Sequence, residues 1–334
     1  MALGLCVVAL APAKAQTPES EFYKGKTITI LVGFAPGGGY DLYGRIVARF
    51  LPKYIPGKPT VIVHNMAPAG GLQAANNVYA VAPKDGTVIA SVNASLLMYQ
   101  LLGGSNARYD SAKLAWVGSG TNSNNSIVTW HTSGIRTIED AKKQEVPMGS
   151  SGPASTSYIY PAVANALVGT KFKLIHGYTG SNSLDLAMER GEIAGRSGAN
   201  LNSLFARNSD WVNEKKINFL AQIGYERDPA LPEVPTLGEL VTDKRAKQIV
   251  DIVTLPTAVG YAYWVAPEVP SDRLAILRSA FAQTFADREF VAEVEKAGFD
   301  VRPVTGERLQ EMVAAAANAP QDVLRETAAI LDMK

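Results

Sequence analysis

The sequence predicts an α/β protein of two lobes, and three observations carry that reading. Apolar, β-rich runs alternate with helical ones through the first third, the pattern of parallel βαβ units. The same layout begins again near Ser126. A chain of 334 residues with 47% apolar content has enough material to bury more than one core.

The first strand is predicted over residues 27–32 and runs straight into the loop GFAPGGGYD at 33–41. Its glycines, Gly37, Gly38 and Gly39, bare backbone N–H groups ahead of a helix predicted over residues 42–51. Such amides, with the positive end of a helix, suit a carboxylate or phosphate. The loop is not a nucleotide P-loop. Gly33 and Gly38 have the right separation, but Gly39 and Tyr40 stand where Lys and Ser/Thr are required, and the dinucleotide spacing is also missing. A tight turn with glycines for steric reasons alone is the alternative. Asp41 reads as the N-cap of the helix, or as a partner for a ligand amine.

A second strand over residues 60–63 leads into HNMAPAGG at 64–71, whose glycines again expose donors before a helix over 72–79. A third, over 88–92, leads into Asn93, Ala94 and Ser95 at the start of another helix. Ligands in open α/β sheets collect beyond the carboxyl ends of strands, so the three loops are expected to converge on one crevice.

The second unit has strands over 126–129, 146–149 and 172–175, helices over 139–143 and 181–190, a short run over 193–197, and a strand over 217–223 returning through the middle of the protein. Ser150, Ser151, Ser155, Thr156 and Ser157 crowd one loop, and Thr179 and Gly180 follow the next strand; each hydroxyl is a ligand donor or a helix cap. Arg196, in GEIAGRSGAN, has a fork of donors for a second carboxylate; a surface salt bridge is its other reading. In the last stretch Ser271 is the expected cap of a helix whose Leu274, Leu277, Phe281 and Phe285 form a core stripe.

Several functions are excluded. Residues 1–15, MALGLCVVALAPAKA, resemble an export leader cleaved after Ala15, although its basic n-region is missing; Leu5 before Cys6 is too bulky for a lipobox. Removing them takes away the single cysteine and one of 32 basic residues, leaving 31 basic against 31 acidic and no thiol chemistry. Balanced charge without basic runs argues against nucleic acid, and no later stretch is apolar enough to span a membrane. His64, His131 and His176 have no neighbours at metal-ligand spacing, so neither a metal nor another cofactor is expected. Gly149 to Gly152 reads GSSG, one residue short of a nucleophile elbow, and the acidic residues are scattered rather than paired.

Five motifs in order carry a resemblance to the periplasmic receptors of tripartite tricarboxylate transporters, often called the Bug family: GFAPGGGYD at 33–41, NMAPAGG at 65–71, APKDGT at 82–87, LPEVPTLGE at 231–239 and VAPEVP at 265–270. The resemblance implies a type II periplasmic binding-protein fold, a Venus flytrap with a ligand cleft between lobes. Lobe 1 is expected over 22–124 and 254–334, lobe 2 over 125–253. It further implies a monomeric receptor that captures a small organic acid and delivers it to one large and one small membrane permease subunit. In that family the first two loops hold a carboxylate largely through backbone amides and bridging waters. Carried to this chain, the binding residues are Ala35, Pro36, Gly37, Gly38, Gly39, Tyr40 and Asp41 with Asn65, Pro68, Ala69, Gly70 and Gly71. Met66, Ala67 and Pro68 stand where the family commonly has Arg, Pro and Gly, which removes a charge. If the Tyr40 ring faces the cleft, the ligand is expected to be flatter or less charged than citrate, such as an aromatic or medium-chain acid. The rival functions are an exported enzyme using His64 or Asp41 as a base, and a ligand-binding module for a sensor kinase.

Overall fold

Two mixed sheets, each wrapped by helices, organise the chain. The computed structural model describes residues 19–153 and 155–332; the expected leader lies outside them. The first sheet begins with β1 (Thr27–Val32), β2 (Thr60–Asn65), β3 (Val88–Ser91) and β4 (Ala115–Ser119). β1 pairs in parallel with both β2 and β3, with Val32 opposite Asn65 and Ser91, so the loops after all three emerge at one edge.

The chain then crosses to build the second sheet from β5 (Asn125–Trp130), β6 (Val146–Ser150), β7 (Phe172–His176), β8 (Gly195–Asn200) and β9 (Ile217–Ile223), in the order β7-β6-β8-β5-β9. It returns through the helix Lys244–Val259 to add β10 (Ala262–Val265) and β11 (Val304–Thr305), completing the first sheet as β11-β4-β10-β3-β1-β2. In each sheet the strand laid down just after a crossing runs against its neighbours: β5 is antiparallel to β8 and β9, and β10 to β3 and β4. Neither sheet is therefore the purely parallel one that alternation suggests. β9 is an edge strand rather than a central one, while the short run near residue 196 supplies the central β8.

The helix Lys244–Val259 joins the two bodies. Its Ile249, Val250, Ile252 and Val253 sit in the core of the second lobe, and its Leu255 and Val259 in that of the first. Where it ends, the two crossing segments touch: the Tyr261 N–H donates to the Thr121 carbonyl at 3.1 Å. Gly260, at φ 61° and ψ −139°, lies directly against that carbonyl, leaving no room for a Cβ. The stripe Leu277, Phe281 and Phe285 of the helix Ser271–Ala286 is buried beneath the first sheet, each side chain contributing about 1.5–3 kcal/mol relative to exposure. Ser271 opens that helix but does not cap it; Pro270 holds the cap position. The last helix, Gln321–Ile330, buries Val323 and Leu324 in the core of the second lobe. Residues 254–334 are expected with the first lobe; this helix packs instead against Lys244–Val259 and the second-lobe core.

The first two loops are brought together by a glycine pair. A Cβ on Gly33 would stand 2.9 Å from the Gly71 Cα, a backbone atom that cannot rotate away. Gly33→Ala is expected to destabilise the fold by about 1–3 kcal/mol, the usual cost of overpacking, read as a lower midpoint in urea unfolding monitored by circular dichroism.

Candidate functional site

A cleft of about 980 Å³ opens between the sheets. One wall is formed by the loops after β1, β2 and β3, and the other by those after β6 and β7 with the segment running from β8 into the helix Leu201–Arg207. The crossing residues Thr121, Asn122 and Ser123, with Pro256, Thr257, Gly260 and Tyr261, form its back.

In the first loop Ala35, Pro36, Gly37, Gly38, Gly39 and Tyr40 all line the cleft. Asp41 does not. The helix begins at Gly39 with Gly38 as N-cap, so Asp41 is inside the first turn rather than at the cap. Its buried carboxylate accepts from the Gly37 N–H at 2.9 Å, Asn65 Nδ2 at 2.8 Å and Arg45 Nε at 3.0 Å. Burial opposes its ionisation, but the bonds from Arg45, Gly37 and Asn65 prevail and hold it below the usual carboxylate range. This consumes one of the three glycine donors. The Gly38, Gly39 and Tyr40 N–H groups remain at the helix start, where the helix itself supplies no acceptor; the first helical bond runs from Leu42 to Gly38.

The second loop contributes less than expected. Ala69, with Ala67, reaches the cleft, whereas Asn65, Pro68 and Gly71 are not among its lining residues. Asn65 is a strut instead: its amide also donates to the Phe34 carbonyl at 2.9 Å, tying loop two to loop one. Pro68–Gly71 form one 3₁₀ turn, and Gly71 caps the helix Leu72–Ala80. Met66 packs on the first-lobe core. After β3, Asn93 lines the cleft and accepts the Ser95 N–H at 3.0 Å; Ser95 is fully buried and does not line it.

Tyr40 is not an open platform. Its ring lies 4.5 Å from Phe34 and 4.1 Å from Tyr261, between two rings, and its hydroxyl donates to the Gly260 carbonyl at 3.4 Å. The ring thus braces the loop against the crossing segment, which removes the basis for a flat ligand stacked on it.

In the second lobe Ser151, Ser155, Thr156, Thr179 and Gly180 line the cleft. The serines also knit their own loop: the Ser157 hydroxyl accepts the Ser151 N–H at 3.0 Å and lies 2.7 Å from the Ser155 hydroxyl. The Thr179 and Gly180 N–H groups donate to the Ser183 hydroxyl. Arg196 lines the cleft too, but it makes no surface salt bridge. It is 4% exposed, with Nε 2.5 Å from Asp185 Oδ1, and burial pushes the Asp185 carboxyl up and the Arg196 guanidinium down, each opposed by its partner.

The tripartite tricarboxylate transporter family receptor model matches residues 45–328. The chain belongs to this receptor family. Among curated proteins it is 25% identical over 240 residues to the UPF0065 protein of the tcbD–tcbE intergenic region of Pseudomonas sp. (strain P51), covering 70% of this chain and 68% of that one. Among solved structures it is similar to a protein of R. palustris with adipate (TM-score 0.67, 20% identity, 91% of this chain and 97% of that one). It is also similar to MatC of Rhodopseudomonas palustris with bound malate (TM-score 0.66, 19% identity, 92% and 99%). At these identities the structures establish the shared two-lobed α/β solute-binding fold.

In this receptor the sequence reading missed the back of the cleft and part of its second wall. Thr121, Asn122 and Ser123 fall between β4 and β5, Asn125 opens β5, and Tyr261 and Phe299 come from distant segments. Asp185 sits in the middle of the helix Ser181–Glu189, four residues before Glu189. Its one available signal was its place in the helix after the Thr179–Gly180 loop, where residues 178–185 all line the cleft.

The Asp41 network has a pH signature. A carboxylate whose folded pKa is depressed stabilises above its unfolded pKa of about 3.9 and loses that stabilisation as pH falls through the folded value. Asp41→Asn is expected to cost about 1.5–3 kcal/mol at pH 7 and to flatten the loss of stability below about pH 4. Urea midpoints from pH 7 to pH 3 check both.

Proposed function

We propose that the chain is a periplasmic receptor that captures a small organic carboxylate in the cleft and delivers it to the membrane permease subunits of a tripartite tricarboxylate transporter. The observation that carries this reading is the first wall of the cleft, where a glycine loop and the start of the helix Gly39–Phe50 present N–H groups to a volume suited to a small acid. Family membership supports it, as do the relatives solved with malate and adipate.

In this reading the Gly38, Gly39 and Tyr40 amides hold one carboxylate. Ala35, Pro36, Gly37 and Ala69 shape its pocket, and Asp41, Asn65, Pro68, Gly70 and Gly71 set the loop geometry without touching ligand. Asn93, Ser151, Ser155, Thr156, Thr179, Gly180 and Arg196 meet the rest of the molecule, and Ser95 holds the Asn93 loop. The lobes turn about the crossing segments at Thr121 and Gly260, and ligand favours the closed arrangement by binding it better. Lobe 1 then comprises residues 22–124 and 254–319, and lobe 2 residues 125–253 with the last helix. The receptor acts as a monomer and performs no covalent chemistry. Neither base required by the enzyme alternative lines the cleft: His64 is exposed on β2, and Asp41 is turned into its own network.

A thermal-shift screen of mono-, di- and tricarboxylates, aromatic acids and amino acids tests the proposal. A ligand at about 100 times its Kd adds roughly 2.7 kcal/mol, a clear rise in Tm, with the acid recovered unchanged. No shift with any acid overturns it. Gly38→Val should fold normally, since a Cβ there meets nothing closer than 3.7 Å, yet lose at least tenfold in affinity because the branched side chain covers the amides. Unchanged affinity would remove the clamp.

A further inference from the structure

A buried ion pair has hydrogen-bonding needs as well as charge to satisfy. A guanidinium carries five N–H donors, and a carboxylate has about four acceptor sites. In the cleft wall, Arg196 Nε and Asp185 Oδ1 are in contact, yet both atoms are buried without an aligned hydrogen-bond partner. Both residues line the cleft. Arg196 enters from the central strand β8 and Asp185 from the helix Ser181–Glu189, so the pair is held by two rigid elements rather than by a loop.

The charge balance of the cleft narrows what this pair can receive. Among the described residues, the charged groups of its lining are Asp185, Arg196 and Arg207. Arg207 is exposed and donates to the Asn182 side chain at 3.1 Å; its charge also reaches the pair, while Asp185 and Arg196 face each other directly deeper in the wall. A plain carboxylate brought to Arg196 meets the Asp185 charge beside it, and an amine brought to Asp185 alone meets the guanidinium. A head that carries both charges on one carbon satisfies both partners.

We propose that Asp185 and Arg196 form a subsite for an α-amino carboxylate head, its ammonium on Asp185 and its carboxylate on Arg196, so that the receptor prefers amino dicarboxylic acids to the plain diacids of the same length. The inference rests on the carboxylate clamp proposed above, which holds the other end of such a ligand. Specificity of this kind arises from mismatch as much as from attraction, because a ligand without the ammonium leaves the Asp185 charge unanswered in a buried wall.

Isothermal titration of the purified chain with matched series tests it: succinate, malate and aspartate; glutarate, 2-hydroxyglutarate and glutamate; adipate and 2-aminoadipate. The amino member is expected to bind at least tenfold tighter than the plain diacid in at least one series. Asp185→Asn is expected to abolish that advantage and to tighten the plain diacid, since Arg196 is then unopposed. The wild-type ratio decides the matter even if the variant folds poorly. Plain diacids that bind as tightly as their amino partners in every series overturn the subsite while leaving the receptor reading intact. A hydroxy acid that matches the amino acid overturns the ammonium assignment, and so does a preference that survives in a folded Asp185→Asn protein. Binding of no acid at all overturns the subsite together with the receptor reading.

Discussion

The Asp41 carboxylate is the interaction on which the geometry of the first wall depends. Three donors from different parts of the chain converge on it: the Gly37 amide, the Asn65 side chain and Arg45. Without them the glycine loop would have little to hold it, because Gly37, Gly38 and Gly39 bring no side chains and Gly37 sits at positive φ. Asn65 extends the same network to the Phe34 carbonyl, so one buried charge fixes where the first loop leaves its strand, how it enters its helix and where the second loop stands. Removing any partner leaves the remaining groups desolvated and short of a bond, which costs more than the bond itself contributes. The wall is thereby preorganised: its free amides are aimed before any ligand arrives.

The second constraint is topological. Each sheet accepts the strand that follows a crossing, and that strand runs against its neighbours, so each lobe depends on chain delivered from the other. The helix Lys244–Val259 shares its apolar face between both cores. The crossings at Thr121 and Gly260 are short, their backbones touch, and a side chain at 260 has no room; the chain crosses once more to reach the last helix.

The first third of the chain was legible because its signals are local. A β-rich run, a glycine loop and a helix start appear within fifteen residues, and the element boundaries fall within a few residues of expectation. The crossings were not legible, since an antiparallel β10 reads like any other four-residue apolar run and only its distant partners set its direction. At the site, hydroxyls and glycines near strand ends were recognisable, but their division of labour was not. Asp41 and Asn65 look like ligand groups in sequence and act as struts because a carboxylate in the first helical turn reaches back to its own loop. Tyr40 looks like a platform and is a brace, because Phe34 and Tyr261 cover its ring. Arg196 reads as a carboxylate donor or a surface salt bridge until Asp185, eleven positions earlier on a helix, is folded against it.

The helix Leu201–Arg207 connects the second wall to the first lobe. Ala206 meets Gly298 of the opposite lobe. Burial pushes the Tyr261 phenol up to about 12, opposed by a bond from Ser203 on the same helix. Contacts between the lobes here include a glycine against an alanine, one hydroxyl against another, and Arg302 3.8 Å from Asp228. Apolar burial stabilises in proportion to area, so the glycine–alanine contact by itself adds little to a closed arrangement. A ligand shifts such an equilibrium only by its differential affinity for the two states. In the proposed reading most of that difference falls to the ligand, bridging the Gly38 amides on one side and the Arg196 wall on the other. A bulkier, stickier rim would close the cleft empty and forfeit the distinction between a loaded receptor and an unloaded one.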